Sequence, residues 1–273
     1  MITLRLDSVD LDRIADSGQC FRWQRLSDGR YAVPLHGTVF ELRQIAHDAV
    51  EADGAWEEER LLSAMRAYLD AECDYASLAL AADPTDAYLC AALSYGRGLR
   101  ILRQPLWETL VSFIISQNNN IPRIRGIVER LCGGARAPFP APQAVAAMGE
   151  EGIRAIGCGY RAAYLARAAE RFTPQEERAL SALSGPQARE RLMDYAGVGG
   201  KVADCICLFG LGHKEAFPRD VWVKRILAQH YPQGFYLEDS PFAGVYQQLM
   251  FAYERESAGK SAAAGGASVD TMR

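Results

Sequence analysis

Lysine is scarce in this chain of 273 residues. Lys201, Lys214, Lys224 and Lys260 are the only four among 30 basic residues, and none precedes position 201. As a count, this reflects a general preference for arginine. Its consequence is that chemistry requiring a deprotonated amine is confined to four side chains, because arginine stays protonated. Long apolar runs are also missing. The strongest, Leu110–Ile115, is too short to cross a bilayer. The start, Met1-Ile2-Thr3-Leu4, lacks a basic stretch followed by an apolar core, so no signal peptide is expected. Seven cysteines are scattered without a C-x2-C pair, which argues against a disulfide framework and a zinc ribbon. The expectation is a protein with reduced thiols, off the membrane, in a cytoplasm.

What is present is the composition of a globular protein, 49% hydrophobic and 23% charged, with enough chain for one large or two ordinary domains. The net charge of −4 hides an asymmetry. Residues 1–96 carry 8 arginines and 17 acids, a balance of −9; residues 97–273 carry 22 basic and 17 acidic residues, a balance of +5. Within 97–136 there are 7 arginines against Glu108 and Glu129. Phosphate affinity follows the local field rather than the sum, although such a patch can equally be a solvated face.

Period-2 alternation at Ile2, Leu4 and Leu6, and at Phe21–Arg25, predicts strands, as do Tyr31–Leu35 after Asp28-Gly29 and Thr38–Ile45 after Gly37. From about residue 57 the pattern is helical. Leu106, Leu110, Val111 and Ile114 share one helix face; Ile121, Ile124, Ile127, Val128 and Leu131 share another. Further helices are expected at Tyr160–Phe172, Arg189–Tyr195, Lys201–Leu211 and from Asp220. The Ala-, Gly- and Ser-rich residues 257–273 read as a flexible tail.

The segment Tyr195-Ala196-Gly197-Val198-Gly199-Gly200-Lys201 carries the most chemistry. Glycines between two helices let the backbone approach a ligand closely, and exposed N–H groups at the next helix start suit a phosphate. An ordinary tight turn uses the same residues. Lys201 stands in the first helical turn, where the macrodipole disfavours a positive charge. Cys205 follows at i+4 on the same face. Asp220, after one helix and a loop, is an N-cap candidate whose carboxylate can also face Lys201.

With these residues in view, the chain resembles the 8-oxoguanine DNA glycosylases of the helix–hairpin–helix (HhH-GPD) superfamily. The likeness runs from about residue 5 to 255 through Ser17–Trp23, Leu99–Gln104, Ser112–Ile121, Gly159–Ala162 and Gly197–Leu208. It implies an α+β fold, with an N-terminal antiparallel β domain (1–85) and an all-helical glycosylase region (86–256, hairpin about 189–211). The implied activity is excision of 8-oxoguanine, and of formamidopyrimidine-guanine, opposite cytosine in double-stranded DNA by a monomer, followed by AP lyase cleavage. Lys201 would be the Schiff-base nucleophile and Asp220 its electrostatic partner. Gly18, Cys205, Gln247 and Phe251 would bind the flipped base. Asn118, Arg123, Tyr160 and Arg161 would fill the gap and read the opposite base, and Gly197, Gly199 and Lys201 would hold phosphate. The carbonyls of Tyr195 and Val198 are candidate ligands for a structural monovalent or divalent cation. No cofactor is required by the resemblance. No cysteine follows Cys207, so the iron–sulfur loop of related enzymes is not expected. The chain departs from the family at Tyr195-Ala196, where Leu-Pro is usual. It also has Trp222 where eukaryotic members have a phosphate-binding histidine; Lys224 or Arg225 is the candidate replacement. Two other readings remain: a monofunctional glycosylase for alkylated bases, which Lys201 argues against, and a non-catalytic DNA-binding hairpin module.

Overall fold

The computed structural model describes residues 1–266, with side chains to residue 258. Its N-terminal part is one five-stranded antiparallel sheet in the order β1-β5-β4-β3-β2. The strands are β1 (Ile2–Arg5), β2 (Gln24–Arg25), β3 (Tyr31–Leu35), β4 (Thr38–Ala46) and β5 (Ala49–Asp53). One face packs on α1 (Leu11–Asp16) and α2 (Glu58–Tyr68) through Leu4, Ile14, Val33, Phe40, Leu42, Val50, Leu61 and Met65.

Helices follow without interruption by strands. They are α3 (Tyr75–Leu80), α4 (Ala87–Tyr95), α5 (Leu106–Ser116), α6 (Ile121–Cys132), α7 (Pro142–Ile153), α8 (Arg161–Arg171), α9 (Pro174–Ser181), α10 (Gly185–Met193), α11 (Gly200–Ile206), α12 (Val221–His230) and α13 (Ala243–Gly266). A wider π-helical turn, Cys207–Leu211, extends α11. α5 is buried on nearly every side and forms the centre of the helical core. Among the described residues, no helix is long and apolar enough to cross a membrane.

The two cores exchange chain. Phe21, Leu78 and Ala82 belong to the helical core, whereas Leu102 belongs to the sheet's. A buried arginine locks them together. Arg100 donates to the carbonyls of Ser8 (2.9 Å), Leu69 (2.7 Å) and Asp70 (2.7 Å), and bonds the Asp7 carboxylate. Arg22 does similar work at the other end, pairing with Glu108 of α5 at 2.9 Å.

Two expectations need correction, and two elements were not foreseen. The alternation at Phe21–Arg25 yields a strand only at Gln24–Arg25, because the first three side chains serve separate partners. Phe21 packs edge-on against Phe113, Arg22 binds Glu108, and Trp23 Nε1 donates to Tyr68 Oη at 2.8 Å. The short α1 and β5 carry no strong period of their own; α1 is started by the Asp10 cap. The stretch from 257, read as a tail, continues α13 as helix through Gly266, in keeping with its alanine content. Residues 267–273 of that expected tail lie outside the described residues.

Candidate active site

The turn between α10 and α11 is a helix–hairpin–helix. The Val198 N–H closes it by donating to the Tyr195 carbonyl at 3.0 Å, and Ala203 N–H donates to the Gly199 carbonyl at 3.0 Å. Gly197 has φ +79°, and a Cβ there would lie 2.3 Å from the Tyr164 ring. Only glycine satisfies both the left-handed backbone and the ring contact. Behind the turn, Arg171 lies 4.2 Å from the centre of the Tyr195 ring and donates to the Asp194 carbonyl at 2.9 Å. Glu176 takes two bonds from Arg191, at 3.0 and 2.6 Å, and these hold its carboxyl below the ordinary range despite partial burial.

This brace fixes the start of α11, and with it Lys201. The lysine Nζ lies 5.6 Å from the centre of the Phe113 ring. One turn on, the Cys205 thiol is buried, and burial pushes it up to about 11; the Lys201 charge opposes that shift and the Asp220 charge adds to it. Lysine, thiol and carboxylate therefore lie within electrostatic reach of one another. Asp220 caps α12 as its sequence position suggested, its Oδ1 accepting the Val223 N–H at 2.8 Å.

Lys201 and Asp220 line one cavity of about 820 Å³. Of the expected site residues, Gly18, Asn118, Gly199 and Phe251 line it too. Gly18 approaches Phe251 closely: a Cβ on the glycine would be 3.6 Å from Phe251 Cε1. Its neighbours are pinned on both sides. The Ser17 carbonyl accepts from Gln248 Nε2 at 2.8 Å. Gln19 donates to the Arg100 carbonyl at 2.9 Å, accepts from Leu102 N–H at 2.7 Å, and its own carbonyl accepts from Gln104 at 2.7 Å. The peptide at Gly18 is thus held from two segments, 100–104 and Gln248. Gln247 is 4% exposed and its Oε1 has no hydrogen-bond partner, a buried acceptor left over next to this region.

Asn118 stands at φ +45° at the exposed end of α5, with Nδ2 3.4 Å from Tyr160 Oη. Asn120 caps α6 by accepting the Arg123 N–H at 3.0 Å, leaving the Arg123 side chain exposed. Arg161 is bonded to the chain that carries Asn118. It is 3% exposed, its Nε donates to the Gln117 carbonyl at 2.9 Å, and its Nη2 reaches the Asn118 carbonyl at 3.1 Å. In this structure it braces the Asn118 loop. Tyr160 is half exposed above it, 4.4 Å from the guanidinium.

Trp222, which replaces the family's histidine, lines the cavity too, and sequence reasoning missed other lining residues, including Phe21, Phe113 and Arg255. Phe113 stacks on Phe209 at 5.5 Å, in a helix whose apolar residues all look like core. Lys201 also borders a second cleft of about 580 Å³ with Arg189, Arg219 and Lys224. There Arg189 pairs with Asp204 at 2.7 Å and Arg219 pairs with Glu238. Among the described residues, no group of three or more His, Cys, Asp or Glu could hold a metal ion.

Known proteins share this fold. Residues 1–110 match the model of the 8-oxoguanine DNA glycosylase N-terminal domain, and residues 111–234 match the HhH-GPD superfamily base excision DNA repair protein. The solved structure of MBOgg1 with a low-affinity DNA ligand superposes with a TM-score of 0.84 at 32% identity, over 94% of this chain and 96% of that one. This chain belongs to the 8-oxoguanine DNA glycosylase family. Within the family, the Clostridium acetobutylicum 8-oxoguanine glycosylase/lyase, in complex with double-stranded DNA containing cytosine opposite 8-oxoguanine, has a TM-score of 0.83 at 29% identity, over 94% of this chain and 99% of that one. The Saccharomyces cerevisiae N-glycosylase/DNA lyase is 38% identical over 50% of this chain and 42% of its own length. The Arabidopsis thaliana N-glycosylase/DNA lyase OGG1 is 28% identical over 78% of this chain and 64% of its own. The chain therefore spans less than two thirds of the curated relatives it matches.

Proposed function

We propose that this protein excises 8-oxoguanine opposite cytosine from double-stranded DNA and then cleaves the strand as an AP lyase, acting as a monomer. The observation that carries the reading is the convergence of Lys201, Asp220, Gly18 and Phe251, from four distant segments, on one cavity. Formamidopyrimidine-guanine presents a similar polar edge and belongs to the same substrate class.

A base inside a duplex cannot reach this cavity, so the nucleotide must be flipped out. Asn118 and Tyr160 stand where side chains can occupy the gap, and Arg123 is free to bond the orphaned cytosine. Arg161 joins them only by exchanging its bonds to Gln117 and Asn118. Gly18 supplies the lesion test. Oxidation at C8 turns guanine N7 from an acceptor into an N–H donor. A carbonyl held rigidly by Ser17 and Gln19 accepts that donor and repels the lone pair of normal guanine. Leaving such a group unsatisfied costs about 1–3 kcal/mol, so this contact discriminates partly and geometry supplies the rest. Phe251 and Cys205 flank the base, and the unpaired Gln247 Oε1 is an acceptor for its pairing edge.

Lys201 Nζ then forms a bond to C1′ as the glycosidic bond breaks, and Asp220 stabilises the positive charge that builds on the sugar. Loss of a proton from the resulting Schiff base at C2′ permits β-elimination of the 3′ phosphate. Gly197 and Gly199 hold a strand phosphate, with Lys224 and Arg225 beside it. The Tyr195 and Val198 carbonyls suit a monovalent or divalent cation bridging to that phosphate. The reaction itself requires no cofactor, and no iron–sulfur cluster belongs to the site. The protein works in the cytoplasm of a bacterium or in a nucleus, with no membrane partner. Incubation with duplexes carrying 8-oxoguanine opposite each of the four bases tests the reading. Cleavage strongest opposite cytosine is expected. Equal binding of undamaged duplex without cleavage would instead indicate a non-catalytic module.

A further inference from the structure

Among the described residues, three charged side chains line the cavity of about 820 Å³: Lys201, Asp220 and Arg255. The first two act on the sugar. The third stands at the other end, among the groups assigned to the base. Arg255 Nη1 is 3.6 Å from where a Cβ on Gly18 would sit, and its guanidinium lies 5.5 Å from the centre of the Phe251 ring. One N–H is spent on the Asp16 carbonyl at 3.0 Å, which anchors the group without neutralising it. A guanidinium has further donors in the same plane.

The reaction has an unmet electrostatic need at that end. When C1′–N9 breaks, its electron pair leaves with the base, so the departing 8-oxoguanine carries negative charge spread onto its ring nitrogens and carbonyl oxygens. Lys201 supplies the pair for the new Nζ–C1′ bond and Asp220 offsets positive charge on the sugar. Neither opposes the charge on the base. A fixed cation, placed where that charge develops, lowers the barrier because it needs no reorganisation.

We propose that Arg255 is a catalytic residue that stabilises the base as it leaves as an anion, until the proton released from the Lys201 nitrogen neutralises it. This rests on the glycosylase reading above. It separates Arg255 from Lys201 and Asp220 in a specific way: Arg255 serves base expulsion and is irrelevant once the base is gone.

The test compares two substrates in single turnover. Arg255→Met keeps the length and the Phe251 packing but removes the charge; Arg255→Lys restores it. On duplex containing 8-oxoguanine opposite cytosine, Arg255→Met is expected to slow base release roughly 100- to 1,000-fold. Arg255→Lys should recover most of that loss. On duplex containing a preformed abasic site, strand cleavage, borohydride trapping and affinity should match the wild type for both variants, which also shows that they fold. Unchanged base release in Arg255→Met overturns the proposal. So does an equal loss on both substrates, or a matching loss of affinity for abasic duplex, since either assigns Arg255 to packing or phosphate grip. Failure of the wild-type protein to release 8-oxoguanine would refute the underlying function instead, and is read separately in the same assay.

Discussion

Gly197→Ala isolates the hairpin from the chemistry. The residue has φ +79°, a conformation that costs an L-residue about 1–2 kcal/mol. Its new methyl would also meet three Tyr164 ring atoms at 2.3, 2.5 and 2.7 Å. Overpacking of this kind costs about 1–3 kcal/mol. The sum is roughly 2–5 kcal/mol, or on the order of 5–15 °C in unfolding temperature for a chain of this size. The displaced turn also carries the start of α11, so affinity for duplex should fall with stability. The two contributions separate in a double-mutant cycle. Tyr164→Ala removes the ring, so the pair Gly197→Ala and Tyr164→Ala should be less destabilised than the sum of the single changes by about 1–3 kcal/mol, leaving the backbone strain. Gly199→Ala is the control: its φ is −93° and nothing lies within 4 Å of its Cβ position, so the stability loss should stay within about 1 kcal/mol. Calorimetry of the four variants checks this. A Gly197→Ala protein as stable as the wild type, or strictly additive single changes, would refute the reasoning.

Arg100→Met should destabilise the protein by about 3–5 kcal/mol, since it strands Asp7 and several buried carbonyls; denaturant unfolding measures this. Burial pushes the Asp7 carboxyl up, but its bonds to Arg100 outweigh that and hold it below the ordinary range. Its stabilisation is therefore present above the unfolded-state value and lost as pH falls through the lower folded value. Wild type should lose more stability between pH 5 and strongly acidic solution than Asp7→Asn. Cys205, pushed up to about 11 by burial, should resist alkylation at pH 8 in the folded protein and react once unfolded; rapid labelling of the native state would contradict its placement. Gln248→Ala frees the Ser17 carbonyl, so discrimination between 8-oxoguanine and guanine should narrow several-fold in competitive excision while abasic-site cleavage holds.

The meeting of Lys201 and Asp220 on one cavity was legible because its signals are local. A glycine turn, a lysine at a helix start and an aspartate before Val-x-Val each read from a few adjacent residues. The part of the cavity lined by Gly18, Phe251 and Arg255 was less legible. Gly18 is fixed by Gln248 and Arg100, which lie far along the chain, and Arg255 gains meaning only from its nearness to Gly18 and Phe251. Phe113 and Phe209 follow the same helical period as their buried neighbours, so periodicity alone could not separate cavity wall from core. Arg161 came from the family resemblance alone; no local signal foretold that its guanidinium would bond the carbonyls of Gln117, Asn118 and Cys158. The turn signals Asp28-Gly29 and Gly37 marked β3 and β4, and strand alternation held at β1. It failed at Phe21–Trp23, where alternation reflects three separate contacts.

The scarcity of lysine makes the central claim directly measurable. Borohydride added during reaction with duplex carrying 8-oxoguanine opposite cytosine should trap a covalent complex, and peptide mapping should place the adduct on Lys201. The four side-chain lysines and the N-terminal amine are the only amines that could carry it. The account expects Lys201→Gln to abolish the complex. An adduct of undiminished yield in that variant, or one mapped to Lys214, Lys224, Lys260 or the N-terminus of the wild-type protein, would contradict it.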